Sequence, residues 1–202
     1  LSAIRAGELL QEAGLPDGVF NIVHGDRECV DALLDHPKVA AISFVGSTAI
    51  AKYIYERGTA AGKRVQSAGG AKNHLIIMPD AEMDQTVKAL VASAYGCAGQ
   101  RCMAGSVAVA VGKAGDPVVE GLVSIAGSMR VGPSDGNENV DMGPVIRAEH
   151  RDRVASYLDI AKQDGATVAL DGRRDFKSNG FLIGPSVVDR VAPSMRVYKE
   201  EI

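Results

Sequence analysis

The chain has 202 residues, 46 % apolar and 23 % charged, a composition that fits one large or two small globular domains and excludes a disordered chain. A formal net charge of −3 offers no basic surface for nucleic acid or anionic lipid, and no apolar run is long enough to span a bilayer. Three cysteines cannot all pair within the chain, so a reducing compartment is expected rather than a disulfide framework.

The first ten residues carry Arg5 and Glu8 and read as an amphipathic helix, not a signal peptide. The chain lacks an initiator methionine, so its natural N-terminus is expected elsewhere. A helix is predicted around Ala3–Ala13, stopped by Gly14-Leu15-Pro16. "GVFNIVHG" (18–25) reads as a short buried strand, and "DRECVDALLDH" (26–36) as a helix opened by Asp26. "VAAISFVG" (39–46) is a second strand, apolar enough to be covered on both faces. A helix then runs from Ser47-Thr48 to about Arg57, and "RVQSAG" (64–69) is a third strand. Strands alternating with helices over short loops predict parallel pairing in an α/β layer.

The character changes around Gly69-Gly70, where a second lobe is expected to begin. "NHLIIMP" (73–79) is a strand, and Asp80 is read as the cap of a helix with Met83, Val87, Leu90, Val91 and Ala94 on one face. "SVAVAVG" (106–112) alternates like a strand, and Gly121–Met129 is read as a helix. Gly132–Pro144 is a polar, glycine-rich loop. A helix over 148–164 carries Val154, Tyr157, Leu158 and Ala161 at helical spacing, and strands follow near 167–170 and 186–188.

Three stretches are candidates for chemistry. In "GCAGQRCMAG" (96–105), Cys97 and Cys102 have four residues between them and no second ligand pair, which argues against zinc; no metal is expected. Cys102 follows a helix and a loop whose glycines let a substrate approach, and Arg101 beside it favours thiolate. The alternative is a small buried hydrophobe, and Cys97 is read that way. Arg101 could equally cap a carbonyl or pair with an acid such as Asp141. In "FVGST" (44–48) a strand meets a glycine and hydroxyl residues at a helix start, a weak signal for an anion site. Glu200 and Glu201 are adjacent carboxylates of the kind usually solvated.

Six motifs together resemble the aldehyde dehydrogenase superfamily: "GLPDGVFNIVHG", "ISFVGST", "GGAKNH", "GQRCMA", "MGPVI" and "VYKEEI". "GQRC" with "GAKNH" narrows the resemblance to its CoA-acylating, methylmalonate-semialdehyde dehydrogenase branch. The resemblance implies an α/β fold: part of a Rossmann-like parallel coenzyme-binding sheet (1–68), then an α/β catalytic domain of aldehyde dehydrogenase type (69–202). It implies Cys102 as nucleophile, and Gly46 and Ser47 at the pyrophosphate of NAD. Gly69 would lie beside the nicotinamide and Glu201 on its ribose. Arg101 is the residue expected to read a substrate carboxylate.

The implied reaction is oxidation of (methyl)malonate semialdehyde by NAD through a cysteine thioester. Decarboxylation and transfer to CoA as co-substrate would give propionyl-CoA or acetyl-CoA. The partners implied are a small aldehyde and further copies of the same chain, with no nucleic acid and no membrane. A cytoplasmic location is expected, or the mitochondrial matrix in a eukaryote. Two departures stand out. Four residues before Lys72, where hydrolytic relatives carry a general-base glutamate and the acylating branch usually an asparagine, stands Ala68; a shift of one gives Ser67. The chain is also well under half the family's usual length, so it is expected to be an internal piece lacking the first coenzyme-binding strand, the oxyanion asparagine and the oligomerisation strand. A hydrolytic NAD(P)-dependent enzyme and an inactive nucleotide-binding relative are the alternatives.

Overall fold

The computed structural model describes residues 1–135, 139–175 and 180–202, with the side chains of 174 and 175 left aside. The described residues form an α/β chain of two compact units, Leu1–Gly70 and Ala71–Ile202. No helix among them is long and apolar enough to cross a membrane.

In the first unit, α1 (Ser2–Glu12) leads to α2 (Arg27–Asp35), β1 (Ala41–Val45), α3 (Thr48–Ala60) and β2 (Arg64–Ala68). Gly14, with φ of +90°, follows α1 as expected of a glycine after a helix end. Asp26 caps α2 by accepting the Arg27 N–H at 2.8 Å, again as its residue type predicts. β1 and β2 pair in parallel, Ala41 opposite Arg64 through Val45 opposite Ala68. The right spacing for the crossover is supplied by α3, which buries Ala51, Ile54 and Gly58. Gly58 is needed there because a Cβ would sit 2.7 Å from Val65 Cγ2.

Two expectations fail in this unit. Residues 18–25 form no strand; they run as irregular chain with Val19, Phe20 and Val23 exposed. Their apolar pattern is strand-like, but a strand exists only where a neighbour takes its N–H and C=O groups, and no described strand does so. β1 is covered on one face only: Ile42 and Phe44 are partly buried while Val45 is 69 % exposed. Side chains alternate across a strand, and helices lie on just one side of this two-stranded sheet.

The second unit opens with β3 (Asn73–Ile77), α4 (Met83–Tyr95), β4 (Gly105–Ala110) and α5 (Gly115–Ser128). β3 and β4 are parallel, and Ile77, Leu90, Ala114 and Val118 form a core beneath them. Val87, Leu90 and Val91 are the buried stripe that the 3.6-residue period predicted. Asp80 does not cap α4. A turn, Ala81 N–H to Met78 C=O, carries the chain two residues further, and the Glu82 carboxylate takes the Asp84 and Gln85 N–H groups. α5 starts six residues before the expected Gly121, since Pro117 falls in its first turn, where a missing N–H costs nothing.

The remaining elements are α6 (Ala148–Asp164), β5 (Thr167–Leu170), β6 (Val187–Asp189) and the short α7 (Arg196–Lys199). β5 and β6 are antiparallel. Tyr157 and Ala161 of α6 close a second core with Ala166 and Val197. Within the polar loop 132–144, residues 136–138 lie outside the described residues; its ends meet where Val131 bridges Met142.

Candidate functional site

Within the first unit, the expected coenzyme residues converge at the carboxyl ends of β1 and β2. Gly46 donates its N–H to the Ala68 carbonyl at 3.1 Å, extending the parallel ladder by one step. A Cβ on Gly46 would sit 2.5 Å from the Phe44 ring, so only glycine leaves this corner open. Ser47 is the N-cap of α3, yet its hydroxyl makes no capping bond, leaving it and the first N–H groups of the helix free to face an anion. Thr48 Oγ1 accepts the Gly70 N–H at 3.0 Å, and a Cβ on Gly69 would meet Thr48 Cα at 3.2 Å. Gly46, Ser47 and Gly69 are thus assembled around one helix start. Thr48 belongs to the "FVGST" stretch singled out in the sequence, but its bond to Gly70, 22 residues on, had no local signal.

Within the second unit, α4 ends at Gly96 and the chain makes a tight turn through Cys97, Ala98 and Gly99, all with positive φ. Two consecutive non-glycine residues in that region cost of order 1–3 kcal/mol each. Cys97 is exposed, so its expected burial is overturned: a left-handed turn at the end of α4 points it away from the core. Cys102 is also exposed and free, on the turn leading into β4. Asn73, at the start of β3, donates from Nδ2 to the carbonyls of Cys102 and Ala104, each at 2.9 Å.

Arg101 is exposed and makes no ion pair among the described residues. The acid expected as its partner, Asp141, is held by Arg130 at 2.9 Å instead. Arg101 lies over the Gly96 backbone, where a Cβ would be 2.6 Å from its guanidinium.

The two terminal glutamates differ. The Glu200 carboxylate accepts the Tyr157 hydroxyl at 2.5 Å, a bond that, with burial, raises the tyrosine pKa. Lys72 Nζ donates to the carbonyls of Val197 (2.7 Å) and Glu200 (2.6 Å), and Arg153 donates to the Glu201 carbonyl. Half-burial lowers the Lys72 pKa, opposed by the charges of Glu201 and Glu200. His74 meets the Tyr198 hydroxyl at 3.2 Å. The backbone of Glu201 is therefore fixed, while its carboxylate accepts no hydrogen bond among the described residues. Lys72, Asn73 and His74 tie the 197–201 segment and the Cys102 turn to one strand start. "GAKNH" marked these residues as a motif but not as a bracket, since their partners lie 29 to 128 positions away. Among the described residues no three His, Cys, Asp or Glu side chains gather as a metal site requires.

The aldehyde dehydrogenase family matches residues 1–202. Malonate-semialdehyde dehydrogenase 2 of Geobacillus kaustophilus is 48 % identical over 202 residues, 99 % of this chain and 42 % of that protein. Methylmalonate-semialdehyde dehydrogenase from Oceanimonas doudoroffii superposes with a TM-score of 0.94 at 51 % identity, covering 99 % of this chain and 42 % of the other. A betaine aldehyde dehydrogenase mutant from Staphylococcus aureus, in complex with NAD+ and with a BME-modified cysteine, superposes at 0.91 with 32 % identity, covering 100 % and 42 %. The chain spans about two-fifths of the length of these relatives. With the match running the whole chain and the fold shared along it, the chain belongs to the aldehyde dehydrogenase family.

Proposed function

We propose that the protein oxidises (methyl)malonate semialdehyde with NAD and releases the acyl group to CoA. Residues 1–68 serve the coenzyme and residues 69–202 the chemistry. The observation that carries the reading is the lack of a base where a hydrolytic enzyme keeps one. Ala68 has no proton acceptor, and the Ser67 hydroxyl is already spent, donating to the Ala51 carbonyl at 2.7 Å. A positioned base contributes on the order of a hundred- to ten-thousand-fold to such a step, whereas the thiol of CoA forms a thiolate at modest cost near neutral pH.

The residues present fit NAD. The free α3 N-terminus with Ser47 and the open corner at Gly46 suit its pyrophosphate. Gly69 offers bare backbone to the nicotinamide, and the exposed Glu201 carboxylate suits a ribose hydroxyl pair. NAD, when bound, supplies the hydride acceptor. Cys102 thiolate adds to the aldehyde carbon, and after loss of hydride the carbonyl re-forms as a thioester on Sγ. The substrate's carboxylate leaves as CO2, the α-carbon takes up a proton from water in its place, and the CoA thiolate then takes the acyl group, returning Cys102 to thiolate. Arg101, exposed and without an acid partner among the described residues, offers a planar two-pronged match to that carboxylate. Relatives named for malonate and methylmalonate semialdehyde support the acidic substrate.

Rapid mixing of the protein at its natural length with malonate semialdehyde and NAD tests this. Without CoA, one burst of NADH followed by a stall is expected, with steady turnover once CoA is added. Steady formation of free acid without CoA would replace this reading by a hydrolytic one.

A further inference from the structure

The turn that carries Cys102 has little of its own to hold it. One backbone bond closes it, Ala104 N–H to Arg101 C=O at 3.1 Å, and its outward side chains find no cover, Met103 being 80 % exposed. Upstream lie the three left-handed residues 97–99. Downstream the chain is pinned as it enters β4: the Gly105 N–H donates to Ser93 Oγ at 2.9 Å, and a Cβ on Gly105 would collide with Leu75. Between these ends stands Asn73.

Its two bonds settle its orientation, since both neighbours are carbonyl oxygens and only an NH2 group can face two of them. They belong to the 102–103 and 104–105 peptides, so one rigid amide fixes two peptide planes, one on each side of the Met103–Ala104 bond. The strand geometry is adapted to this contact. Asn73 lies opposite Gly105 and His74 opposite Val107, so Ser106 is skipped at an irregularity in the ladder beside the site. Aspartate could not donate here at all, and serine could donate only once.

We propose that Asn73 is the positioning residue of the nucleophile: by holding the Cys102 and Ala104 carbonyls it sets where the Cys102 thiol projects. The proposal rests on the reading of Cys102 as nucleophile. A displacement of about 1 Å in a reacting group can cost roughly a hundredfold in rate.

The test uses the protein at its natural length without NAD. p-Nitrophenyl acetate acylates a positioned cysteine: the thiolate displaces nitrophenolate and a thioester forms. Iodoacetamide reports the same thiol with far weaker demands on geometry. Asn73→Asp should slow the nitrophenolate burst rate constant by about a hundredfold and Asn73→Ser by roughly tenfold. Iodoacetamide alkylation should stay within about threefold for both, whereas misfolding lowers burst amplitude and leaves its rate constant alone. If Asn73→Asp does not fold, Asn73→Ser decides. An unchanged burst rate constant, or acylation and alkylation falling together, overturns the proposal. An acetyl group found by peptide mass spectrometry on a residue other than Cys102 in the unsubstituted protein overturns instead the nucleophile reading.

Discussion

The two units hold their shape by different means. In residues 1–70 few apolar side chains are fully buried; Leu34, at 1 % exposure, and Ile54 are the largest, and α1 buries none. Polar ties do much of the work there. Lys63, itself buried, donates to the His36 and Val39 carbonyls at 2.6 and 2.7 Å, and Arg57 joins α3 to Asp35 of α2. In residues 71–202 two apolar clusters underlie the elements that carry the candidate chemistry. On the proposed reading, the corner that would take the pyrophosphate rests on a helix start with few side-chain ties, whereas a nucleophile at Cys102 needs a scaffold stiff enough to aim it.

The largest effect should separate the two roles. Cys102→Ala in the protein at its natural length should lower NADH formation by at least about a thousandfold while NAD affinity, measured by calorimetry, stays within about twofold. Gly46→Val, which drives a side chain into Phe44, should do the reverse. It should weaken NAD binding by about tenfold, within the ~1–3 kcal/mol that overpacking costs, and spare Cys102 alkylation. A Cys102→Ala protein that still oxidises aldehyde would end the division of labour.

Packing gives the next contrast. Leu90→Ala, inside the cluster with Ile77 and Val118, should cost about 2–5 kcal/mol, read as faster hydrogen exchange in α4. Leu9→Ala on the exposed face of α1 should change stability by less than about 0.5 kcal/mol. Equal costs would mean that α1 has a cover in solution.

Tyr157→Phe removes the bond to Glu200, worth about 1 kcal/mol given the exposed carboxylate, and should raise the KM for NAD a few-fold with kcat for CoA-dependent turnover nearly unchanged. A KM equal to that of the unsubstituted protein would detach Glu200 from the placement of Glu201.

The smallest effect is in acid. Hydrogen bonds from the Arg130 side chain and backbone hold the Asp141 pKa at about 2. A folded pKa below the ordinary carboxylate value means that this pair stabilises fully above about pH 4 and ceases to do so as the pH falls towards 2. Asp141→Asn should therefore flatten the acid limb of a circular-dichroism stability profile over that window. An unaltered slope would show that the exposed pair contributes nothing.

Local signals were readable wherever their cause is local. The period of α4 and α6 and the Asp26 cap depend on neighbours within a few residues and are found in place, whereas β4 forms as a strand but its alternation breaks at Val109, which is exposed. Motif spacing along the whole chain was enough for the family, because it reflects the entire order of elements. Long-range questions had no such signal. An apolar run at 18–25 has strand character, but pairing needs a partner elsewhere in the chain, and Cys97 looks like a core residue until a left-handed turn faces it outward. Which of two adjacent glutamates takes a hydroxyl depends on Tyr157, and the clamp on Cys102 depends on an amide 29 residues before it. Hydrogen bonds of that kind are directional and short, so they come into being only when folding has brought the two ends within about 3 Å.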